Sequence, residues 1–497
     1  MLLAKGRFHR FIAAKPLPTQ SEIGHAFFIG KPRSGKGLAI ETNLVTWPHS
    51  VIVNDIKGEL YHRTAGYRVS LGPVFRFDPR GYGCRFDPLA GKTTDSELRS
   101  AATTLLNRPN EGQNASFTER AISMQVAMFH AALLEGERLL PFSYKLMNEG
   151  LYAVATILEI ITRKHQYYPN LAKMFLDTDL DKADFDSKFL QDCWSTLTAR
   201  MRKILTRESV RCFTGSDFTV KDIITAKKSV YLCWPEHDLG ALSPLIQLLW
   251  GSFVNGMTAY YDKVQGQGCI RVLLTLDEIL RTGLPELPQY VSTCLGRHIT
   301  CVTSVQNISQ LDYAFGRAKA QALLGQMESV VFYRPAKADN ETAEYIEKCL
   351  SWKSGFAQSK TAHTQGESQG ESETRRPLMT ANEIKLIDKT QVFVEMEGEK
   401  KGIPSILAER LDHRKIPELA GRLHMKPPEV SLLPELDLSV DRQDVTDRRE
   451  RRSVPVLPDG YPLSRRDHHN HHESKSNTLW HRERKLPNGY VDPDKRY

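Results

Sequence analysis

The sequence predicts an α/β protein built on a central, mostly parallel sheet, and three observations predict it. An apolar run at 26–29 leads into Gly30-Lys31-Pro32-Arg33-Ser34-Gly35-Lys36-Gly37 and then Leu38-Ala39-Ile40, which reads as strand, glycine-rich turn and helix start. Residues 209–350 alternate short apolar runs with helical stretches, the pattern of a parallel sheet covered on both faces. An apolar run at 273–276 ends on two carboxylates, Asp277 and Glu278. Polar residues at the carboxyl end of a buried strand lie where open α/β sheets place ligands.

Composition sets the bounds. A chain of 497 residues is long enough for several domains at about 100–200 residues each. With 40% hydrophobic and 25% charged residues, it describes a globular protein whose core needs no disulfides or structural metals. The eight cysteines are scattered and form no C-x-x-C pair, which fits buried thiols in a reducing compartment rather than a secreted disulfide framework. The net charge of +8 permits an anionic partner, nucleic acid or an acidic membrane face. Basic residues at 5, 7, 10 and 15 flank a short apolar patch without the long apolar core of a secretory signal. No run of about 18 apolar residues occurs, so no membrane-spanning helix is expected.

Taken in order, residues 1–23 form an N-terminal segment, and 24–94 read as β/α/β. A second strand at 50–53 ends on Asn54-Asp55-Ile56-Lys57-Gly58-Glu59, and a third at 74–77 on Asp78-Pro79. Residues 95–208 lose the strand signal and show helical periodicity at 98–106, 118–134, 146–162 and 189–205, an inserted all-helical domain. The sheet domain resumes over 209–410, with strands at 230–234, 271–276, 299–304 and 330–332 and helices at 239–261, 287–295, 318–327 and 341–350. Residues 351–376 are rich in Ser, Gly, Gln, Glu and Thr and read as a mobile loop. Thr380-Ala381-Asn382-Glu383 is a capping box opening a short helix, and 392–396 a late strand. The remainder, 411–497, reads as a largely disordered tail. It holds a basic run at 448–452 and a His468-His469-Asn470-His471-His472 cluster without the spacing of a structural zinc site.

The chemistry is concentrated in four places. Gly30 and Gly35 let the loop of Lys31, Pro32, Arg33 and Ser34 curl so that successive N–H groups face one concavity at a helix N-terminus, a cradle for polyphosphate. Lys36 adds a mobile positive charge for the outer phosphates, while Gly37 stands where the phosphate-loop pattern has a hydroxyl for Mg²⁺. Asp277 is the candidate metal residue, holding the hydration shell of Mg²⁺, and Glu278 the candidate to polarise the attacking water. Gln306, after the next strand, is a candidate γ-phosphate sensor. Arg297 is a candidate arginine finger acting from a neighbouring subunit, with Arg281 as competitor. Asp55, Lys57 and Glu59 border the same region without roles that spacing assigns. ATP and Mg²⁺ are the ligands this set implies.

These blocks, in order, resemble the TraG/TraD-type coupling ATPases of type IV secretion and conjugation. The resemblance is carried by Gly30–Gly37, by Asp55-Ile56-Lys57-Gly58-Glu59-Leu60 with Thr64-Ala65-Gly66-Tyr67-Arg68, and by Phe77-Asp78-Pro79. It continues through residues 229–234 and 273–278, Gly296-Arg297, Ser304-Val305-Gln306, Val331-Phe332-Tyr333-Arg334-Pro335, Glu341-Thr342-Ala343-Glu344-Tyr345, and Arg376-Pro377-Leu378-Met379-Thr380 with Glu383. It spans about residues 24–410. The resemblance implies a RecA-like, FtsK-related P-loop motor that is hexameric and hydrolyses ATP. It implies binding of DNA with little sequence preference and delivery of a relaxase-type nucleoprotein, or protein effectors, to a membrane channel. Glycine at position 37 and an inserted helical domain are features of the resembled family, and Arg297 and Gln306 fall on its proposed arginine-finger and sensor positions. Typical members carry two N-terminal membrane helices, whereas the 29 residues before Gly30 hold none. The expected location is therefore cytoplasmic, peripheral on the inner face of a bacterial plasma membrane. Two other readings suit the same residues: an FtsK-like or phage or pilus assembly motor, and a non-hydrolysing nucleotide-binding cargo adaptor.

Overall fold

The computed structural model of the chain describes residues 1–5, 11–13, 23–108, 112, 115–281, 284, 286–363, 366–396 and 405–436. Two short strands, β1 (Leu2–Lys5) and β2 (Phe11–Ala13), precede β3 (Ala26–Ile29), α1 (Lys36–Thr46), β4 (Ser50–Asn54), α2 (Glu59–Arg68), β5 (Val74–Asp78) and β6 (Tyr82–Gly83). A helical stretch follows: α3 (Asp95–Leu106), α4 (Ala115–Glu135), α5 (Leu139–Met147), α6 (Leu151–His165), α7 (Leu171–Leu176) and α8 (Lys188–Ile204). Alternation resumes with α9 (Val220–Thr225), β7 (Ser229–Leu232), α10 (Leu239–Val264), β8 (Val272–Leu276), α11 (Leu287–Cys294) and β9 (Ile299–Val305). Then come α12 (Ile308–Phe315), α13 (Arg317–Gly325), β10 (Ser329–Tyr333), α14 (Asn340–Cys349), β11 (Trp352–His363) and β12 (Gly366–Pro377). The described chain closes with α15 (Ala381–Ile384), β13 (Gln391–Met396), β14 (Ile406–Glu409) and α16 (Pro417–Leu423).

The main sheet has twelve strands in the order β2-β1-β14-β13-β10-β3-β9-β8-β4-β7-β5-β6. From β10 to β5 the neighbours run parallel, and antiparallel strands finish both edges. Every residue of β3, β4, β8 and β9 is buried. These strands are near-continuous apolar runs because helices cover both faces. Register positions the site. Ile29 pairs with Val305, Thr303 with Leu276, and Leu276 with Asn54. The carboxyl ends of β3, β9, β8 and β4 therefore finish together, and Gly30, Gln306, Asp277 and Asp55 emerge side by side.

The C-terminal end of α2 is fixed by Arg68, which is fully buried. Its guanidinium donates to the carbonyls of Leu44, Trp47 and His49 and to Ser229 Oγ at 2.9 Å. Burial pulls its pKa down to about 10. It ties α1, α2 and β7 together.

Three sequence expectations need correction, and the N-terminal segment gains a place in the sheet. The helix expected at 146–162 is two helices, broken where Gly150 takes φ 81° ahead of α6; only glycine occupies that region without strain. The loop expected at 351–376 is the β11–β12 ribbon, paired in register from Trp352↔Pro377 to His363↔Gly366. Among the described residues its strands pair only with each other, and its polar sequence carries no period-two apolar signal. The N-terminal segment contributes β1, in which Leu3 and Ala4 are buried beside β14. Finally, the chain does not leave the domain at 410. Arg422 donates to Val45 O at 2.9 Å and lies over the Tyr67 ring, and Tyr61 Oη donates to Pro428 O at 2.9 Å. Gly66 lets this segment pass, since a side chain there would run into the Met425 carbonyl. The basic run and histidine cluster of the tail lie outside the described residues. Among the described residues no helix is long and apolar enough to cross a membrane.

Candidate functional site

The shared carboxyl edge of β3, β9, β8 and β4 opens into a cavity of about 670 Å³. Residues 31–38 form one wall, Asp277 and Glu278 the floor, Asn54, Asp55 and Lys57 a flank, and Arg410 and Arg414 the rim. The loop needs both its glycines. A side chain at Gly30 would collide with Tyr333 of β10, and Gly35 caps α1 at φ 111°. No described side chain caps α1, so its first N–H groups are left for an anion, and the helix dipole favours one there. Position 37 is open, with no described atom within 4 Å of where a Cβ would sit. The missing hydroxyl is therefore not a steric exclusion.

Lys36 is 7% exposed. Its ammonium reaches back across the loop to the carbonyls of Gly30 and, at 3.4 Å, Lys31. Burial lowers its pKa, and the charges of Asp277 and Glu278 oppose that shift. Asp277 shifts the other way: burial raises its pKa, a hydrogen bond from Ser304 lowers it, and Glu278 raises it. Ser304 links the two carboxylate residues. Its hydroxyl donates to Asp277 Oδ1 at 2.8 Å and accepts from the Glu278 N–H at 3.2 Å. Glu278 itself sits at φ 54°, a conformation a non-glycine residue holds only when its surroundings enforce it. Gln306 approaches it, with Nε2 3.5 Å from Glu278 Oε1.

Asp55 continues this row of carboxylates. It accepts from the N–H groups of Leu60 at 3.2 Å and Tyr61 at 2.6 Å, and so caps α2. Burial pushes its carboxyl up to about 6, the Tyr61 and Leu60 bonds and Arg76 oppose this, and Asp277 adds to it. A carboxyl raised in the folded state binds its proton more readily there than in the unfolded chain. Stability therefore rises as pH falls from about 6 toward 3.8. Relative to Asp55→Asn, the wild-type protein should gain about 2 kcal/mol between pH 8 and pH 4.5, read from urea denaturation of both proteins at each pH.

Residues 4–403 match the family described as type IV secretory system conjugative DNA transfer. This chain belongs to that family. Protein VirD4 of Rhizobium radiobacter is 26% identical over 404 residues, which is 76% of this chain and 56% of that protein. Conjugal transfer protein TraG of Escherichia coli is 23% identical over 452 residues, covering 82% of this chain and 70% of that one. The chain thus spans little more than half the length of the VirD4 relative. The plasmid coupling protein TrwB, solved with ADP and Mg²⁺, superposes with a TM-score of 0.57 at 15% identity, over 87% of this chain and 93% of its own. The α/β fold is thus shared with that conjugative coupling protein.

Within this family framework the candidate residues separate. Lys31, Pro32, Arg33, Ser34, Gly35, Lys36, Gly37, Asp277 and Glu278 all line the cavity. Gln306 lines a smaller adjoining cavity of about 220 Å³ that Glu278 also borders. Arg297 is elsewhere. It precedes the amino end of β9, roughly 20 Å of strand from Gln306, and pairs with Asp262 at 2.8 and 3.0 Å. The Arg281 side chain is outside the described set. Sequence reasoning missed Arg410, whose Nη1 donates to Ser34 O at 2.9 Å, and Glu41, which is paired with His413 at 2.6 Å and Arg63 at 3.0 Å. Neither carries a local signal. Arg410 reaches the loop because β14 pairs with β13, far from Gly30 in sequence.

Proposed function

We propose that this chain is an ATP-hydrolysing coupling protein that drives DNA, or a relaxase-type nucleoprotein, toward a membrane channel of a conjugative or type IV secretion system. The observation that carries it is the convergence of Lys36, Asp277 and Glu278 on one cavity above the uncapped end of α1. Structures of TrwB with ADP and Mg²⁺ and with the ATP analogue ADPNP support ATP and Mg²⁺ as ligands here. The donor set fits them: backbone N–H groups for phosphate oxygens, and an oxygen-only metal wall at Asp277. Mg²⁺ bound there supplies charge neutralisation at the phosphates. The chain's own groups do the rest. The α1 amides and Lys36 hold the phosphates in place, and Glu278 accepts a proton from the attacking water. Gln306 steadies Glu278, and Ser304 fixes the orientation of Asp277. The location we propose is the cytoplasmic face of the membrane.

Arg297 enters as a residue of the neighbouring subunit in a ring, a homo-hexamer by the family resemblance, because it lies at the far end of β9 from its own cavity. Arg297→Ala and Lys36→Ala should each be inactive alone. Mixed in equal amounts, they should regain about a quarter of the wild-type rate by random assembly, through interfaces that pair an intact loop with an intact arginine. Steady-state ATP turnover of the mixture measures this, and no recovery removes Arg297 from the trans role.

A further inference from the structure

Two cations are bonded to the phosphate loop from its opposite ends. Lys36 folds back onto the carbonyls of Gly30 and Lys31. Arg410, the residue after β14, takes the other end and lines the same cavity. Its main chain is placed by the sheet: β14 pairs with β13, and the Arg410 N–H donates to Thr390 O at 2.7 Å. From there the side chain reaches the loop. Nη1 donates to Ser34 O at 2.9 Å, and Cδ, Nη1 and Nε lie 3.1, 3.3 and 3.5 Å from where a Cβ on Gly35 would sit. The guanidinium therefore packs on the bare face of Gly35, the residue before the uncapped end of α1. An arginine has several N–H groups to place, and among the described residues Ser34 O is the only acceptor that Arg410's side chain has. The carboxylates that feel its charge, Asp388 and Asp412, are bonded to Thr390 and to Arg414 instead.

We propose that Arg410 is a nucleotide-binding residue of the same subunit, contacting the α- and β-phosphates, the part of the ligand that ATP and ADP share. The assignment rests on the nucleotide-hydrolysis reading above. A loop of this kind cradles the α- and β-phosphates on its backbone N–H groups and reaches the β- and γ-phosphates with its lysine. The charges of Asp277 and Glu278 act on Lys36, which places Lys36 at the metal and γ-phosphate end. Arg410 lies on Ser34 and Gly35, where the loop gives way to α1. A guanidinium presents planar, paired donors that match phosphate oxygens, and such charge-assisted bonds are stronger than neutral ones. One N–H holds the loop, and the others remain for the ligand. What Arg410 contributes should therefore not distinguish ATP from ADP.

The test compares Arg410→Met, which keeps a long stem and removes the charge, with Arg410→Lys, which keeps both, in the full chain. ATP and ADP compete with a fluorescent ADP analogue in MgCl₂, at about 50 mM NaCl and again at about 1 M, where charges are screened beyond about 3 Å. Thermal melts are recorded without nucleotide. Arg410→Met should weaken ATP and ADP alike, by about tenfold at low salt. That deficit should shrink to about threefold or less at high salt, because screening takes from wild type what the variant already lacks. Arg410→Lys should recover part of the affinity for both nucleotides, and the melting temperature of Arg410→Met should stay within about 2 °C of wild type. Weakened ATP with ADP unchanged would overturn the assignment, as would equal affinities in wild type and Arg410→Met. A deficit that salt leaves untouched, with a lowered melting temperature, would overturn it too, because that is the mark of a residue that only props up the loop. Should wild type bind neither nucleotide, the nucleotide reading itself falls, and the role of Arg410 with it.

Discussion

Replacing Lys36 with alanine should lower ATP turnover by at least about 10²–10³-fold, the effect of removing one preorganised charge from a transition state. Lys36 is nearly buried, so its ammonium acts across a medium less polar than water, where each ångström and each charge counts for more. It is also the cation facing Asp277 and Glu278. Without it, a nucleotide bringing several negative charges meets two carboxylates with no ammonium opposite. Nucleotide affinity should fall along with turnover. Folding should be spared, because burial already disfavours the charged lysine and its hydrogen bonds go only to the Gly30 and Lys31 carbonyls. Steady-state turnover, nucleotide titration and a thermal melt of the same preparation separate these effects.

Glu278→Gln should lower turnover by about 10²–10⁴-fold, the usual weight of a general base, while nucleotide affinity stays within a few-fold of wild type. The substitution keeps the shape of the side chain, the backbone at φ 54° and the N–H bond to Ser304. It removes only the ability to accept a proton. Gln306 approaches the same oxygen at 3.5 Å, so a glutamine at 278 also faces amide with amide. Binding without turnover is the signature expected. An unchanged rate would take the role away from Glu278 and return the adaptor reading to contention.

Much of this site is legible in the chain because its parts are local. The glycines, Lys36 and the apolar run before them sit within a dozen residues, and Asp277-Glu278 announces itself at the end of a buried strand. Register is not local. That Leu276 pairs with Asn54 and Thr303, so that Asp55, Asp277 and Gln306 share an edge, follows from the order β9-β8-β4. Periodicity carries no information on strand neighbours. Arg410 and His413 were hidden for the same reason. Arg410 reaches Ser34 of the loop, and His413 reaches Glu41 of α1, only once β14 has paired with β13 and the chain beyond it has crossed α1 and α2. The break at Gly150 was present in the sequence as Asn148-Glu149-Gly150, and the apolar period running through it concealed the turn. Arg297 sits before the amino end of β9, paired with Asp262, which no local pattern foretells.

DNA-dependent ATP turnover of the full chain, measured beside its Lys36→Ala variant, tests the coupling-motor assignment most directly. Single- or double-stranded DNA of unrelated sequence should raise the wild-type rate, and Lys36→Ala should show no turnover with or without DNA. A wild-type protein that hydrolyses ATP at the same rate with and without every DNA offered, or a Lys36→Ala variant that matches wild type, would contradict it.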